Sequence, residues 1–320
     1  MILIPLVFKK GENMLANIIL LVLGFVLLIK GADYFVDGAS ALAERMHIPA
    51  IIIGLTVVAM GTSAPEAAVS ISSALHGSNA IAIGNILGSN IMNILLILGA
   101  TALVTTLTVQ KNTVRYEIPF MIFISALLYC FGLKYEMVSR FNAGILIGLF
   151  IVFLAYLFII SRGNTNTDTT AKSTSATKII CCIAGGLVAL IFGSKITVLS
   201  AIDIAHYVGV SERIIGLTIV ALGTSLPELV TSVVAAYKGE SDIAIGNIVG
   251  SNIFNILFVL GIAGLILPIP FNPAFLFDGI VVILAATLLF LCTCWNKKLC
   301  RFAGVLFLII YAFYIAQLIV

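Results

Sequence analysis

Charge is what this chain has least of. Only 10% of its 320 residues are Asp, Glu, Lys or Arg, against roughly 25% in soluble domains, while 61% are hydrophobic. That balance excludes a soluble globular fold and implies a polytopic membrane protein. Histidine is reduced to 3 residues. His47, His76 and His206 all fall at the ends of apolar runs, which leaves no imidazole at mid-membrane for a proton relay or for activating a serine nucleophile. Cysteine is sparse too. Cys130, Cys181, Cys182, Cys292, Cys294 and Cys300 lie in or beside apolar runs, as small buried hydrophobes do, and show no disulfide framework. Cys292-x-Cys294 has no His or second Cys pair at zinc-like spacing. The net charge of +3 is small and dispersed, which argues against a nucleic-acid partner.

What is present is a series of apolar runs of about 20 residues, each enough to cross a bilayer core as helix. Apolar length and polar breaks predict ten spans, near 15–43, 48–75, 79–106, 116–133, 141–161, 178–207, 211–237, 242–267, 275–295 and 299–318. Residues 1–13 read as an N-terminal extension. No small-residue cleavage pattern follows the first long run, so that run is a retained span rather than a signal peptide. Residues 162–177 (RGNTNTDTTAKSTSAT) form the one long polar break and read as a linker between two five-span units, 14–161 and 178–320. One set of alternate loops carries Arg45, Lys111, Arg115, Arg162, Lys172, Lys178, Lys238, Lys297, Lys298 and Arg301; the other carries Lys9, Lys10, Lys134, Arg140 and Arg213. The richer set should be cytoplasmic, which puts both termini outside. Five spans per unit is an odd number, so the two units are inverted, a signature of secondary transporters whose site lies near the midplane.

The units share a motif-bearing stretch. Residues 54–99 and 216–261 align without a gap at a spacing of 162, with 28 of 46 residues identical. Each copy carries Gly-Thr-Ser-x-Pro-Glu and, further on, Gly-Ser-Asn-Ile-x-Asn. Glu66 and Glu228 are the carboxylates that lie deep in long apolar runs and repeat between the units. Each costs at least about 2.5 kcal/mol to insert at the bilayer centre, so each marks a functional site. Pro65 and Pro227 lack an N–H and clash one turn back, which should free carbonyls around Ala59 to Gly61 and Ala221 to Gly223; such backbone survives in a membrane where it lines a wet cavity. Freed carbonyls, Thr and Ser hydroxyls and one carboxylate then converge in each unit, an all-oxygen set suited to hard cations such as Ca²⁺ and Na⁺. Ser89 and Asn93, and Ser251 and Asn255, stand four apart on one helix face and add neutral oxygens. Asn85, Asn90, Asn247 and Asn252 read as helix-to-helix hydrogen bonders, with ion contact the alternative; Gly84, Gly88, Gly246 and Gly250 read as close-approach points. Lys30, Asp33 and Asp37, at i, i+3 and i+7, read as local pairs or snorkelling charges, and Lys195 and Asp203 likewise.

On these residues the chain resembles the cation/calcium exchanger superfamily, and most closely its prokaryotic sodium/calcium exchangers. The resemblance covers the chain from Met14 onward. It implies an all-α fold of ten transmembrane helices in two inverted five-helix repeats, with four ion sites between the second, third, seventh and eighth spans. It implies ligands at Ala59 (carbonyl), Thr62, Ser63, Glu66, Ser89 and Asn93, and at Ala221 (carbonyl), Thr224, Ser225, Glu228, Ser251 and Asn255. It also implies that the first span of each half slides across this core during alternating access. Some relatives carry Asp where this chain has Asn255, so two carboxylates supply −2 here; one Ca²⁺ or two Na⁺ would neutralise it. The expected activity is Na⁺/Ca²⁺ antiport in the cell (plasma or inner) membrane, not enzymatic catalysis. Na⁺ and Ca²⁺ are its substrates and the bilayer its surroundings, with no cofactor and no obligate protein partner. The alternative is a H⁺/Ca²⁺ exchanger of the same fold.

Overall fold

The computed structural model describes residues 14–77, 79–163, 174–210 and 221–319. The N-terminal extension, most of the linker and the first ten residues of the span expected at 211–237 lie outside them. In chain order the helices are α1 (Met14–Met46), α2 (Ala50–Thr62), α3 (Ala64–Leu75), α4 (Ile81–Val104), α5 (Thr113–Tyr135), α6 (Arg140–Gly163), α7 (Ala176–Tyr207), α8 (Ala221–Thr224), α9 (Leu226–Tyr237), α10 (Ser241–Ile266), α11 (Phe275–Thr293) and α12 (Arg301–Ile319). Among the described residues, eight helices are long and apolar enough to cross a membrane, and α2 with α3, bent by 51° at their junction, counts as a ninth. The bounds fall within a few residues of the expected spans.

Two short antiparallel ribbons tie loops together. Leu107–Thr108 (β1) pairs with Lys298–Leu299 (β4), and Met137–Val138 (β2) with Ile269–Pro270 (β3). The 23 residues of α5 lie between β1 and β2, so the ribbons sit at opposite ends of a helix about 34 Å long. Lys111, Lys297 and Lys298 thus gather at one end and Lys134 and Arg140 at the other, the grouping that the loop charges suggested.

The core of the molecule is α10, buried along most of its length, with α4 beside it and α2, α3 and α9 packed against the two. Apolar burial drives little of this, because lipid tails are as apolar as leucine; close packing of small residues must do more. A Cβ on Gly246 would meet Gly54 Cα and the Ile51 carbonyl at 2.9 Å, and one on Gly250 would meet the Leu55 carbonyl at 2.6 Å. Glycine at these two positions lets α2 of one half press onto α10 of the other.

The same device joins α1 to α7, which otherwise present much of their surface outward. Gly24, Gly31 and Gly38 recur every seven residues on α1, and Gly186 and Gly193 do so on α7. A Cβ on Gly31 would meet the Gly186 carbonyl at 2.9 Å, and one on Gly193 the Gly24 carbonyl at 3.0 Å, so the helices run antiparallel with backbone against backbone.

Three expectations are corrected. Asp33 and Asp37 do not pair with Lys30; both carboxylates sit 2.6 Å from Lys238 Nζ in the second half, which also donates to the Asp33 carbonyl at 2.9 Å. Burial pushes the Lys238 ammonium down, but its hydrogen bonds to Asp33 and Asp37 outweigh that and hold it above its ordinary value. Cys130, Cys181 and Cys300 are exposed rather than buried, because they lie on the outward faces of their segments. Proline does not free the Ala59 carbonyl, for a reason that belongs with the site.

The glycine contacts yield a direct test. Gly186→Leu should cost about 1–3 kcal/mol through overpacking and lower the melting temperature of the detergent-solubilised protein. Gly185→Leu, one residue away with open space around it, should leave melting unchanged.

Candidate cation site

Each half breaks its second apolar segment at the same point. α2 ends at Thr62, Ser63 adopts φ −81° and ψ 7°, and α3 restarts with Pro65 in its first turn. Ser225 does the same at φ −92° and ψ 6°, ahead of Pro227 in the first turn of α9. Proline suits that place because the first N–H groups of a helix have no partner within it. The break therefore comes after Ser63, and the Ala59 carbonyl keeps the Ser63 N–H at 3.0 Å, with the Thr62 and Ser251 hydroxyls each at 3.4 Å. What the break does create is a helix N-terminus in mid-molecule, and Glu66 and Glu228 occupy the first turns of α3 and α9, where the helix dipole favours a carboxylate.

The two carboxylates are cross-linked between halves. Ser225 donates to Glu66 Oε1 at 2.9 Å, and Ser63 donates to Glu228 Oε1 at 2.8 Å. Both glutamates are sealed from solvent, at 1% and 0% exposure. Ser89 reaches this pair through the Ser225 hydroxyl at 3.4 Å. Thr62 shares its hydroxyl between the Val58 carbonyl at 3.1 Å and Asn247 Oδ1 at 2.9 Å.

A ring of asparagines frames the centre. Asn85 donates to Ser70 at 2.8 Å and to the Glu66 carbonyl at 3.3 Å; Asn247 donates to Ser232 at 2.9 Å and to the Glu228 carbonyl at 3.4 Å. Asn93 donates to Asn252 Oδ1 and Asn255 to Asn90 Oδ1, both at 3.2 Å. Asn85, Asn90, Asn247 and Asn252 thus hydrogen-bond between helices, the first of the two readings open to them. Asn93 and Asn255 each begin a π-helical turn, Asn93–Ile97 and Asn255–Val259, a distortion common at functional sites and invisible in the spacing of apolar residues.

Buried polar atoms nearly always find a partner. Nine among the described residues do not, and four of the nine gather at this centre: Glu66 Oε2, Glu228 Oε2, Asn93 Oδ1 and Asn255 Oδ1. They form two repeat-related pairs, and all belong to residues that the resemblance implies as ligands. Two carboxylates framed by neutral Ser, Thr and Asn side chains suit a hard cation. Of the remaining expected ligands, Thr224 is half-buried beside the break, and Ala221 opens α8, its side chain lying outside the described residues.

Comparison with known proteins decides the family. The sodium/calcium exchanger protein family matches residues 16–159 and 178–320, nearly the whole chain. The chain belongs to the sodium/calcium exchanger family. Among curated exchangers and their kin it is 42% identical over 283 residues to the putative antiporter CaxA of Alkalimonas amylolytica, covering 86% of this chain and 88% of that one. It is 34% identical over 347 residues to the sodium/calcium exchanger MaX1 of Methanosarcina acetivorans, covering 95% and 98%. Among solved structures, the sodium-calcium exchanger NCX_Mj soaked with Na⁺ and Sr²⁺ superposes with a TM-score of 0.83 at 30% identity over 95% of this chain and 99% of that one.

The serine cross-links can be cut one at a time. Ser225→Ala removes a hydrogen bond to a charged group, worth about 1.5–3 kcal/mol, from Glu66. Calorimetric Ca²⁺ affinity should fall roughly 10- to 100-fold, and Ser63→Ala should do the same through Glu228; unchanged affinity in both would show that the hydroxyls do not organise the site.

Proposed function

We propose that this member of the family is a secondary antiporter exchanging Na⁺ for Ca²⁺ across the cell membrane by alternating access. Both ions compete for Glu66 and Glu228 near the midplane, and the twelve expected residues supply the oxygens. The observation that carries this reading is the set of four unpartnered buried oxygens centred on two carboxylates that each half holds for the other.

The reading includes ten spans in two inverted repeats. α9 stands 162 residues after α3 at both of its ends, so a tenth span follows if α9 completes a broken helix as α3 does. The ribbon pairing supports the inversion. β3 lies 162 residues after β1 and β4 lies 161 after β2, yet β1 pairs with β4 and β2 with β3. Equivalent loops of the halves thereby end up at opposite ends of α5.

Coupling follows from electrostatics. With no ion aboard, two carboxylates would cross the low-dielectric interior uncompensated, so the empty site is held on one side and only loaded states change over. One Ca²⁺ or two Na⁺ balance the −2.

Purified protein in Na⁺-loaded liposomes diluted into Na⁺-free buffer should accumulate ⁴⁵Ca²⁺, whereas K⁺-loaded liposomes should not. Glu66→Gln and Glu228→Gln should each reduce uptake to background. Normal exchange by Glu66→Gln would sink the mechanism, and uptake driven by a pH gradient without Na⁺ would transfer it to proton coupling.

A further inference from the structure

A cavity of about 630 Å³ lies between α4, α11 and α12. Asn85, Ser89 and Thr224 line it on the side of the ion site, and the Ser89 hydroxyl is one hydroxyl removed from Glu66, through Ser225. On the other side its lining includes Ile81 and Leu318, which are open to the surroundings. The cavity therefore joins the neighbourhood of Glu66 to the outside of the molecule.

Its walls are mostly apolar and hold one carboxylate, Asp278, in the first turn of α11. Tyr314 donates to Asp278 Oδ1 at 2.8 Å, which fixes the side chain, and both residues line the cavity. Among the described residues no Lys or Arg forms an ion pair with it. The helix N-terminus explains why an acid is tolerated there; it does not explain why a tyrosine holds that acid in the wall of a cavity ending on site residues. The first half has a similar pair, with Tyr156 donating to Glu117 at 2.6 Å, but the cavity of about 450 Å³ beside it touches none of the ion-site residues. At the spacing of 161 residues that relates β2 to β4, Glu117 is the counterpart of Asp278, so the two halves differ in what the cavity beside the acid reaches and not in having the acid.

We infer that Asp278, held by Tyr314, is a recruiting site for a hard cation on its way to Glu66, acting at the β2–β3 end of the molecule alone. This rests on the antiporter reading and adds a residue outside the twelve. A single carboxylate in an apolar-walled cleft concentrates cations at its mouth without holding them, because the field there is weakly screened. It changes how readily an ion arrives and leaves the turnover of the loaded site as it was.

Right-side-out and inside-out membrane vesicles separate the two ends. Asp278→Asn should raise the half-saturating Ca²⁺ concentration about tenfold, the low end of what a charged cleft contributes to capture, at one face only. Maximal rate and the other face should be unchanged, and Asp278→Glu should restore wild-type behaviour. Tyr314→Phe, which keeps the carboxylate and the packing, should move the same parameter in the same direction by less. An equal shift at both faces, a loss of maximal rate with half-saturation intact, or no shift in either variant would each overturn the assignment. Absence of exchange in the wild-type vesicles, or its survival in Glu66→Gln, would instead overturn the antiporter reading.

Discussion

Two glutamates kept out of water inside an apolar molecule are the constraint to which the rest of the structure answers. An isolated buried carboxylate is costly, and two are worse unless their surroundings are arranged around them. The chain meets this with a helix N-terminus beneath each carboxyl group and a serine from the opposite half on one oxygen of each. The second oxygen of each is left without a donor. A site satisfied at every atom would have no use for an ion. One half-satisfied in this manner keeps an oxygen of each carboxylate free, and because each half completes the other, neither half has the arrangement alone.

The scaffold around the pair follows from where it sits. Water cannot drive helices together inside a bilayer, so contact depends on how closely backbones approach. Glycine is used for this at two unlike interfaces. Gly246 and Gly250 seat α2 on α10 and so set the position of the break that carries Ser63 and Glu66. The glycines of α1 and α7 instead make a smooth contact between two long helices that touch the core along one side only. At the first interface the glycines meet main chain, at Gly54, Ile51 and Leu55; at the second they meet main chain at Gly24, Gly31 and Gly186 and the side chains of Thr197 and Ile183 as well.

Much of this could be read from residues because repetition does the work of comparison. A gap-free duplicate singles out Glu66 and Glu228 where a lone buried glutamate would be ambiguous, and Pro65 with Pro227 locates the break to within a residue or two. The family and the approximate helix bounds follow from the same signals. What remained hidden depends on geometry that spacing does not encode. Whether Pro65 ends a helix or begins one decides the partner of the Ala59 carbonyl, and both leave the same letters. The π-helical turns at Asn93 and Asn255 shift side-chain direction without shifting the apolar pattern. Lys238 lies about two hundred residues from Asp33 and Asp37, so a search for partners three or four positions away settles on Lys30 instead.

That last contact also shows where the repetition fails. Under the spacing of 162 residues, the counterpart of Lys238 is His76, and those of Asp33 and Asp37 are Lys195 and Leu199. α1 is pinned to the opposite half by a cation between two anions; the corresponding places hold Lys195 and Leu199 on α7 and His76 just after α3. A molecule whose halves could trade roles perfectly would have two resting shapes of identical energy, like a balanced seesaw. This one is weighted on a single side before any ion arrives, so its two halves start from unequal ground.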